Sequence, residues 1–340
     1  MTEPRLLVVS LNYRTPDMTL RSVRAALRAL DGLTAEVVVV DNDSGDGSFE
    51  TLSTQIAAWN DPRVRLIRSG HNGGFGAGNN IGIRAGLSDG SKPDFVYILN
   101  SDAFPEQPAI RALLDHLLAH PRAGFAGSRI KGEDGAPHLT AFRFPSVWSE
   151  LEGAARLGPI SRALRRHIVA LDLPTASGPV DWLAGASLMM RQDMLDRIGL
   201  FDETFFLYFE ETDLCRRGFL AGFETHFVCE SHVVHIGSVS TGMKTWRRIP
   251  GFWLDSRWHY FTKNHGRAYA AAATVLHGVG GLIWRIRRLV QSRPMADPPH
   301  FLRDLLLHDL RALFRPLPGK RTAGPSCQTR TAAKTKAEHP

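Results

Sequence analysis

The sequence predicts an α/β fold, a mostly parallel sheet covered by helices on both faces and followed by a C-terminal helical extension. Three observations predict it. Short apolar runs alternate with helix-period segments from residue 6 to about residue 130. Polar or glycine-bearing patches stand where the apolar runs end, the side of an open α/β sheet on which ligands bind. The charge changes sign near residue 243: residues 1–242 hold 23 Lys and Arg against 29 Asp and Glu, and residues 243–340 hold 18 against 5.

Residues 6–11 form the first apolar run, ending at Asn12-Tyr13. Residues 16–30 follow with helical spacing and a proline at the start, where its missing N–H costs nothing. A second strand over 36–40 ends at Asp41, and 48–59 reads as a helix. A third strand covers 64–67. The glycine-rich stretch from His71 to Asn80 then leads into a helix expected over 79–87. A fourth strand over 95–99 ends at Asn100-Ser101-Asp102, followed by a helix over 108–120 and a strand over 124–130. Periodicity weakens over 131–179, which suits a connector or an acceptor-side loop. Residues 182–191 read as one strand, 211–221 as a helix and 224–235 as a returning strand. Runs without alternation are those of strands buried on both faces.

The C-terminal region differs. Residues 267–284 are mostly apolar but carry His277 and three glycines before Arg285, Arg287 and Arg288. A spanning helix needs about 20 clean apolar residues, so this segment reads as an interfacial helix or one that packs on the domain before it. Residues 301–314 are amphipathic, with Leu302, Leu306, Leu310 and Leu313 or Phe314 on one face. The expected organisation is a catalytic domain over 1–242, an amphipathic helical extension over 243–315 and a disordered basic tail over 316–340. The basic, amphipathic end points to an anionic membrane surface, or to simple solvation of charge. No motif for nucleic acid appears.

Three cysteines, Cys215, Cys229 and Cys327, make neither a disulfide framework nor a metal-ligand spacing. With no signal-peptide pattern at the N-terminus, the expected location is cytoplasmic, peripheral at the inner face of the membrane.

The patches carry the chemistry. Asp41 ends a strand of four valines, where its carboxylate can accept an imide N–H, and Asn42 or Ser44 can cap the turn that follows. Gly74, Gly76 and Gly78 alternate and so fail the spacing of a dinucleotide fingerprint. They do allow close backbone approach at a helix start, with Asn79 and Asn80 as polar candidates. Asp102 alone suffices to hold Mg²⁺ or Mn²⁺, which keep waters and substrate oxygens in their shell. His235 offers a neutral imidazole to a divalent ion, with His232 as its competitor. Glu210 and Glu211 stand at a helix start, where the dipole favours acids. Two close carboxyls also raise one another's pKa towards the range of a general base. Trp182 suits either stacking on a sugar or a place in the core.

The ordered set Asp41-Asn42-Asp43-Ser44, the His71–Asn80 glycine stretch, Asn100-Ser101-Asp102 and Phe209-Glu210-Glu211-Thr212-Asp213 resembles the family 2 glycosyltransferases of GT-A fold, and among them the rhamnosyltransferase-like members. The resemblance runs over residues 6–241. It implies an inverting, metal-dependent transfer of a sugar from a nucleotide-sugar donor, by resemblance dTDP-L-rhamnose with UDP-hexoses open, to a lipid-linked or surface glycan. It places Asn12, Asp41, Asn42, Ser44, Gly74, Gly76, Asn79, Asn80, Asn100, Ser101 and Trp182 on the donor side. Asp102 and His235 fall at the metal, with an asparagine at position 100 where the Asp-x-Asp motif has its first acid. Matching the family's acidic motif favours Glu211 as the base, with Glu210 its competitor and Asp213 orienting the loop or touching the acceptor. Two rivals remain. A sugar-nucleotide-forming nucleotidyltransferase calls for a glycine-rich loop after the first strand, where this chain has Ser10-Leu11-Asn12-Tyr13-Arg14. The other rival is a catalytically silent scaffold.

Overall fold

The computed structural model describes residues 3–237, 246–292, 294 and 297–315. The expected tail over 316–340, with Cys327, lies outside the described residues. So do 238–245, which hold the expected 242/243 boundary.

In chain order the elements are β1 (Leu6–Asn12), α1 (Pro16–Ala29), β2 (Ala35–Asp41), α2 (Ser48–Trp59), β3 (Val64–Arg68), α3 (Gly74–Ala85), β4 (Phe95–Asn100), β5 (Ala103–Pro105), α4 (Ala109–Ala119) and β6 (Ala123–Lys131). Then come β7 (Ala141–Phe142), α5 (Val147–Ala155), α6 (Gly158–Ala163), β8 (Gly178–Val180), β9 (Trp182–Leu183), β10 (Ser187–Arg191), α7 (Gln192–Ile198), α8 (Glu210–Leu220) and β11 (Glu224–His235). The chain closes with α9 (Gly251–His265), α10 (Arg267–Gln291) and α11 (Phe301–Phe314).

The main sheet runs β3-β2-β1-β4-β10-β6-β11-β5, with β8 paired to β11. The pairs among β3, β2, β1 and β4 are parallel, as is β6 with β11. Strand β10 enters antiparallel between β4 and β6. The central strands alternate strictly between two cores. Leu6, Val8, Val37 and Val39 join the α1 and α4 side, and Leu7, Val9, Val38 and Val40 join the α3 side. Both faces are covered, which is why the valine run of β2 carries no polar alternation.

The structure departs from the sequence reading most where packing decides the element. Helix α3 starts at Gly74, not near Asn79. Of its four glycines, Gly78 and Gly82 lie one turn apart on one face, where a methyl group would fall 2.5 Å from Leu11 Cδ1 or 2.4 Å from Val9 Cγ1. They let the helix lie flat on β1, so tight packing explains a helix that propensity disfavours. The expected strand over 182–191 is two strands in different sheets, broken at Ala184-Gly185-Ala186. The connector over 131–179 contains helices α5 and α6. Finally, α9 is a full helix that the sequence reading did not separate.

The C-terminal helices are tied to the body by a buried charge cluster. Arg257 of α9, 1% exposed, donates to Glu150 of α5 at 2.7 Å and to Asp309 of α11 at 2.9 Å. His277 of α10 bonds the same Glu150 oxygen at 2.7 Å. Burial alone would raise the Glu150 carboxyl. Arg257 and His277 overcome that and hold it at about 2. Gly280 brings α10 against α5, where a methyl group would meet the Leu151 carbonyl at 2.6 Å. No described helix is long and apolar enough to cross a membrane.

Candidate active site

A cleft of about 710 Å³ opens over the carboxyl ends of β1 and β4. Its lining includes Asn42, Gly74 and Phe75, Asn100, Ser101 and Asp102, and Trp182, Gly185, Glu210, Glu211 and His235. Residues spread over more than 190 positions of sequence thus share one space, because parallel strands all end on the same side.

Asp102 sits in the link between β4 and β5, 6% exposed. Its Oδ1 lies 3.0 Å from His235 Nε2, and its Oδ2 accepts from the Gly237 N–H at 3.1 Å. His235 is the last residue of β11, and its pairing with Ala103 of β5 places it beside Asp102. Two ligands on adjacent corners of one octahedral shell, each about 2.1 Å from the ion, stand about 3.0 Å apart. Hard oxygen plus imidazole suits Mg²⁺ or Mn²⁺, so these residues fit a divalent ion. Asn100 adds a buried Oδ1 with no protein partner. His232, the competitor, lies three residues back on β11 and does not line the cleft. His138 does line it, with its ring 6.3 Å from that of His235. It was missed in the sequence because it follows Gly-Ala-Pro in an aperiodic stretch.

Glu210 and Glu211 open α8. Before them, Tyr208 and Phe209 both hold left-handed backbone, φ +71° and +70°, a conformation that costs energy in bulky residues and clusters at functional sites. Phe209 is fixed from behind by Tyr260 and Trp253, and the Leu207 carbonyl accepts from Ser256 Oγ at 3.0 Å. Helix α9 therefore buttresses the acidic loop directly, and its Phe252 lines the cleft. Burial, and then the charge of Glu211, push the Glu210 carboxyl well above its ordinary range. Burial also raises Glu211, partly offset by its own backbone N–H and that of Gly185. Each keeps an Oε2 without a protein hydrogen bond. Glu210 is 2% exposed, while Glu211 is only half-buried and faces the cleft.

Other expected site residues have other surroundings. Asp41 is 2% exposed and accepts from Asn12 Nδ2 at 2.7 Å, Ser44 Oγ at 2.6 Å and Ser44 N–H at 3.2 Å. It borders a smaller depression beside the cleft with Phe49 and Arg68. Asn12 and Ser44 act on Asp41 and do not reach the main cleft. Gly76 packs on Phe201, and Asn79 donates to the Phe75 carbonyl within α3. Asn80 clamps the 201–203 turn, donating to the Phe201 carbonyl at 2.9 Å and accepting from Phe201 N–H at 3.1 Å. Asp213, fully buried, is occupied by Arg217, Lys263 and Asn264 at 2.9, 2.7 and 3.2 Å. It anchors α9 to α8 and does not line the cleft. Trp182 lines the cleft but stacks on Phe142 at 4.2 Å, and its indole N–H donates to the Arg143 carbonyl.

The fold is that of GT-A glycosyltransferases. Mannosyltransferase PcManGT of Pyrobaculum calidifontis, solved with GDP-Man and Mn²⁺, superposes with a TM-score of 0.56 over 92% of this chain and 81% of its own, at 14% identity. The glycosyl transferase family 2 model matches residues 6–177. The N-acetylglucosaminyl-diphospho-decaprenol L-rhamnosyltransferase of Mycobacterium tuberculosis is 33% identical over 251 residues, covering 69% of this chain and 77% of that protein. Rhamnosyltransferase WbbL of Escherichia coli is 27% identical over 165 residues, 48% of this chain and 60% of its own. The chain belongs to glycosyltransferase family 2 and is a rhamnosyltransferase-like enzyme. That membership sets aside both rivals, the nucleotidyltransferase and the silent scaffold.

Proposed function

We propose that this enzyme moves L-rhamnose from dTDP-L-rhamnose, with inversion, to a hydroxyl of a lipid-linked glycan. The observation that carries the reading is one cleft flanked by two dissimilar groups, the Asp102–His235 pair and the Glu210–Glu211 pair. Asp102 and His235 would hold a divalent ion, which when bound would neutralise charge on the departing diphosphate. Asn100 and Asn42 offer amides to the donor. Asp41, with three of its acceptor positions filled, keeps room for one N–H from a pyrimidine base.

Glu211 takes the proton from the acceptor hydroxyl as that oxygen attacks the anomeric carbon. Glu210, the more buried of the two, stays protonated beside it, so the pair carries one negative charge. The donor sugar and a prenyl-diphosphate-linked acceptor are carried over from the mycobacterial relative's name. UDP-hexose is the alternative donor.

Such an acceptor lives in a membrane, and the surface favours work there. Helix α10 exposes Val275, Val279, Leu282, Ile286, Leu289 and Val290 along one face. Arg285, Arg287 and Arg288 lie on the same helix, the pairing of an apolar stripe with cations that suits an anionic interface.

The test is transfer from dTDP-L-rhamnose and from UDP-hexoses to a polyprenyl-diphosphate-linked N-acetylglucosamine, with Mn²⁺ and with chelator. Metal-dependent transfer from dTDP-L-rhamnose supports the reading. Transfer from a UDP-hexose alone replaces the donor, and transfer unaffected by chelator overturns the metal assignment.

A further inference from the structure

Three imidazoles meet far from the cleft. His116 and His120 lie one helical turn apart at the end of α4, and His226 is the third residue of β11. Each offers a ligand nitrogen within 4.8 Å of those of the other two. His116 Nε2 stands 2.8 Å from His226 Nδ1, and the rings of His116 and His120 stack at 4.1 Å. Strand β11 has a register shift between Val228 and His232, so His235 lies about six strand steps beyond His226, roughly 20 Å. None of the three lines the cleft.

The hydrogen bonds around the cluster fix its tautomers. His120 Nδ1 lies 2.8 Å from the His116 carbonyl, which can only accept, so Nδ1 carries the proton and Nε2 keeps a lone pair. His226 Nε2 lies 3.0 Å from Glu224 Oε2. His226 Nε2–H donates to that carboxylate, which leaves the lone pair on Nδ1. His116 Nε2, 2.8 Å away, therefore donates to it in the empty site and gives up that proton when a metal binds. Arg122 holds the other Glu224 oxygen and so orients the carboxylate. A ring nitrogen donating outward to a carboxylate or a carbonyl while the other faces inward is the arrangement that surrounds metal-bound histidines.

We propose that His116, His120 and His226 bind a transition-metal ion, Zn²⁺ by ligand class, with Glu224 as the outer partner that orients His226. Three imidazoles suit zinc over magnesium or calcium. Nitrogens on a tetrahedral shell stand about 3.3 Å apart at metal–nitrogen bonds near 2.0 Å. The 2.8 Å pair needs to open by only about 0.5 Å to reach that spacing. His120 is exposed and His226 is 5% exposed, so the ion enters from the surface and ties the end of α4 to β11. The fourth position faces solvent and takes water. The site is a structural clip, independent of the donor-bound ion and of the reading of the cleft.

The experiment uses the full chain carrying Asp102→Ala, which removes the carboxylate of the donor-side ion. After chelator stripping, Zn²⁺ is titrated by equilibrium dialysis and Co²⁺ by its visible absorption. The expected result is one equivalent of Zn²⁺, a tetrahedral Co²⁺ band that Zn²⁺ displaces, and a rise in melting temperature on loading. Adding His120→Ala, an exposed change that leaves folding intact by circular dichroism, weakens binding at least about 100-fold, and Glu224→Gln weakens it about 10- to 100-fold. No bound equivalent, or equal affinity with and without His120, overturns the proposal.

Discussion

Asp102 Oδ1 and His235 Nε2 stand 3.0 Å apart although 133 residues separate them in sequence. The contact exists because β5 and β11 pair in antiparallel register, Ala103 against His235. Strand pairing sets this geometry before any ligand arrives.

That preformed pair leads to a binding prediction. Asp102→Ala is expected to abolish the Mn²⁺ dependence of dTDP and UDP binding, read as thermal shift with and without metal. His235→Ala should weaken the metal effect while leaving part of it. If the metal still strengthens nucleotide binding in Asp102→Ala, the ion sits elsewhere.

The two glutamates should separate cleanly. Glu211→Gln is expected to lower kcat at least about 100-fold with donor binding nearly intact, the scale of a lost general base. Glu210→Gln replaces a protonated acid by a neutral amide of the same shape and should cost less than about 10-fold. The reverse ranking would move the base to Glu210. In the wild type, kcat/KM should fall as pH drops through a carboxyl pKa above the ordinary 4.5, because burial raises Glu211 and protonation removes the base.

Arg257→Met should destabilise the chain by about 3–5 kcal/mol, since it leaves Glu150 and Asp309 buried without their cation. Denaturant titration measures it. The Glu150 carboxyl is depressed from 4.5 to about 2, so its contribution is present above pH 4.5 and is lost as pH falls towards 2. Stability of the C-terminal helices, followed by tryptophan fluorescence, should decline across that window in the wild type. Arg257→Met should flatten the decline.

The exposed stripe of α10 can be tested without disturbing the cleft. Leu282→Asp with Ile286→Asp places two charges on residues 57% and 56% exposed. Sedimentation with anionic vesicles should drop sharply while melting temperature holds. Unchanged sedimentation would put the membrane contact on another face.

Much of the sheet was legible because both faces of β1, β2 and β4 are buried, which writes long apolar runs into the sequence. The patches after those runs were legible for the same reason. What escaped were features decided by packing partners distant in sequence. The alternating Gly74, Gly76 and Gly78 read as a ligand-side helix start, and the packing of Gly78 and of Gly82 on Leu11 and Val9 shows only in the structure. Asp213 reads as orienting the loop or touching the acceptor, and its partners Lys263 and Asn264 arrive from α9, out of sight of the sequence. The break between Trp182 and Ser187 is invisible in an apolar run because the two halves join different sheets.

Gly74 has φ +88°, and a methyl group there would fall 1.9 Å from the Phe206 carbonyl, which already accepts the Phe75 N–H at 2.9 Å. The start of α3 and the loop leading to Glu210 are thus riveted together. For anyone recombining this enzyme with a relative, the two halves of the cleft are one inheritable unit. A chimera cut after residue 177, where the family match ends, would carry one side of the rivet from each parent. Swaps of donor preference should therefore move the 201–209 segment together with the amino-terminal half.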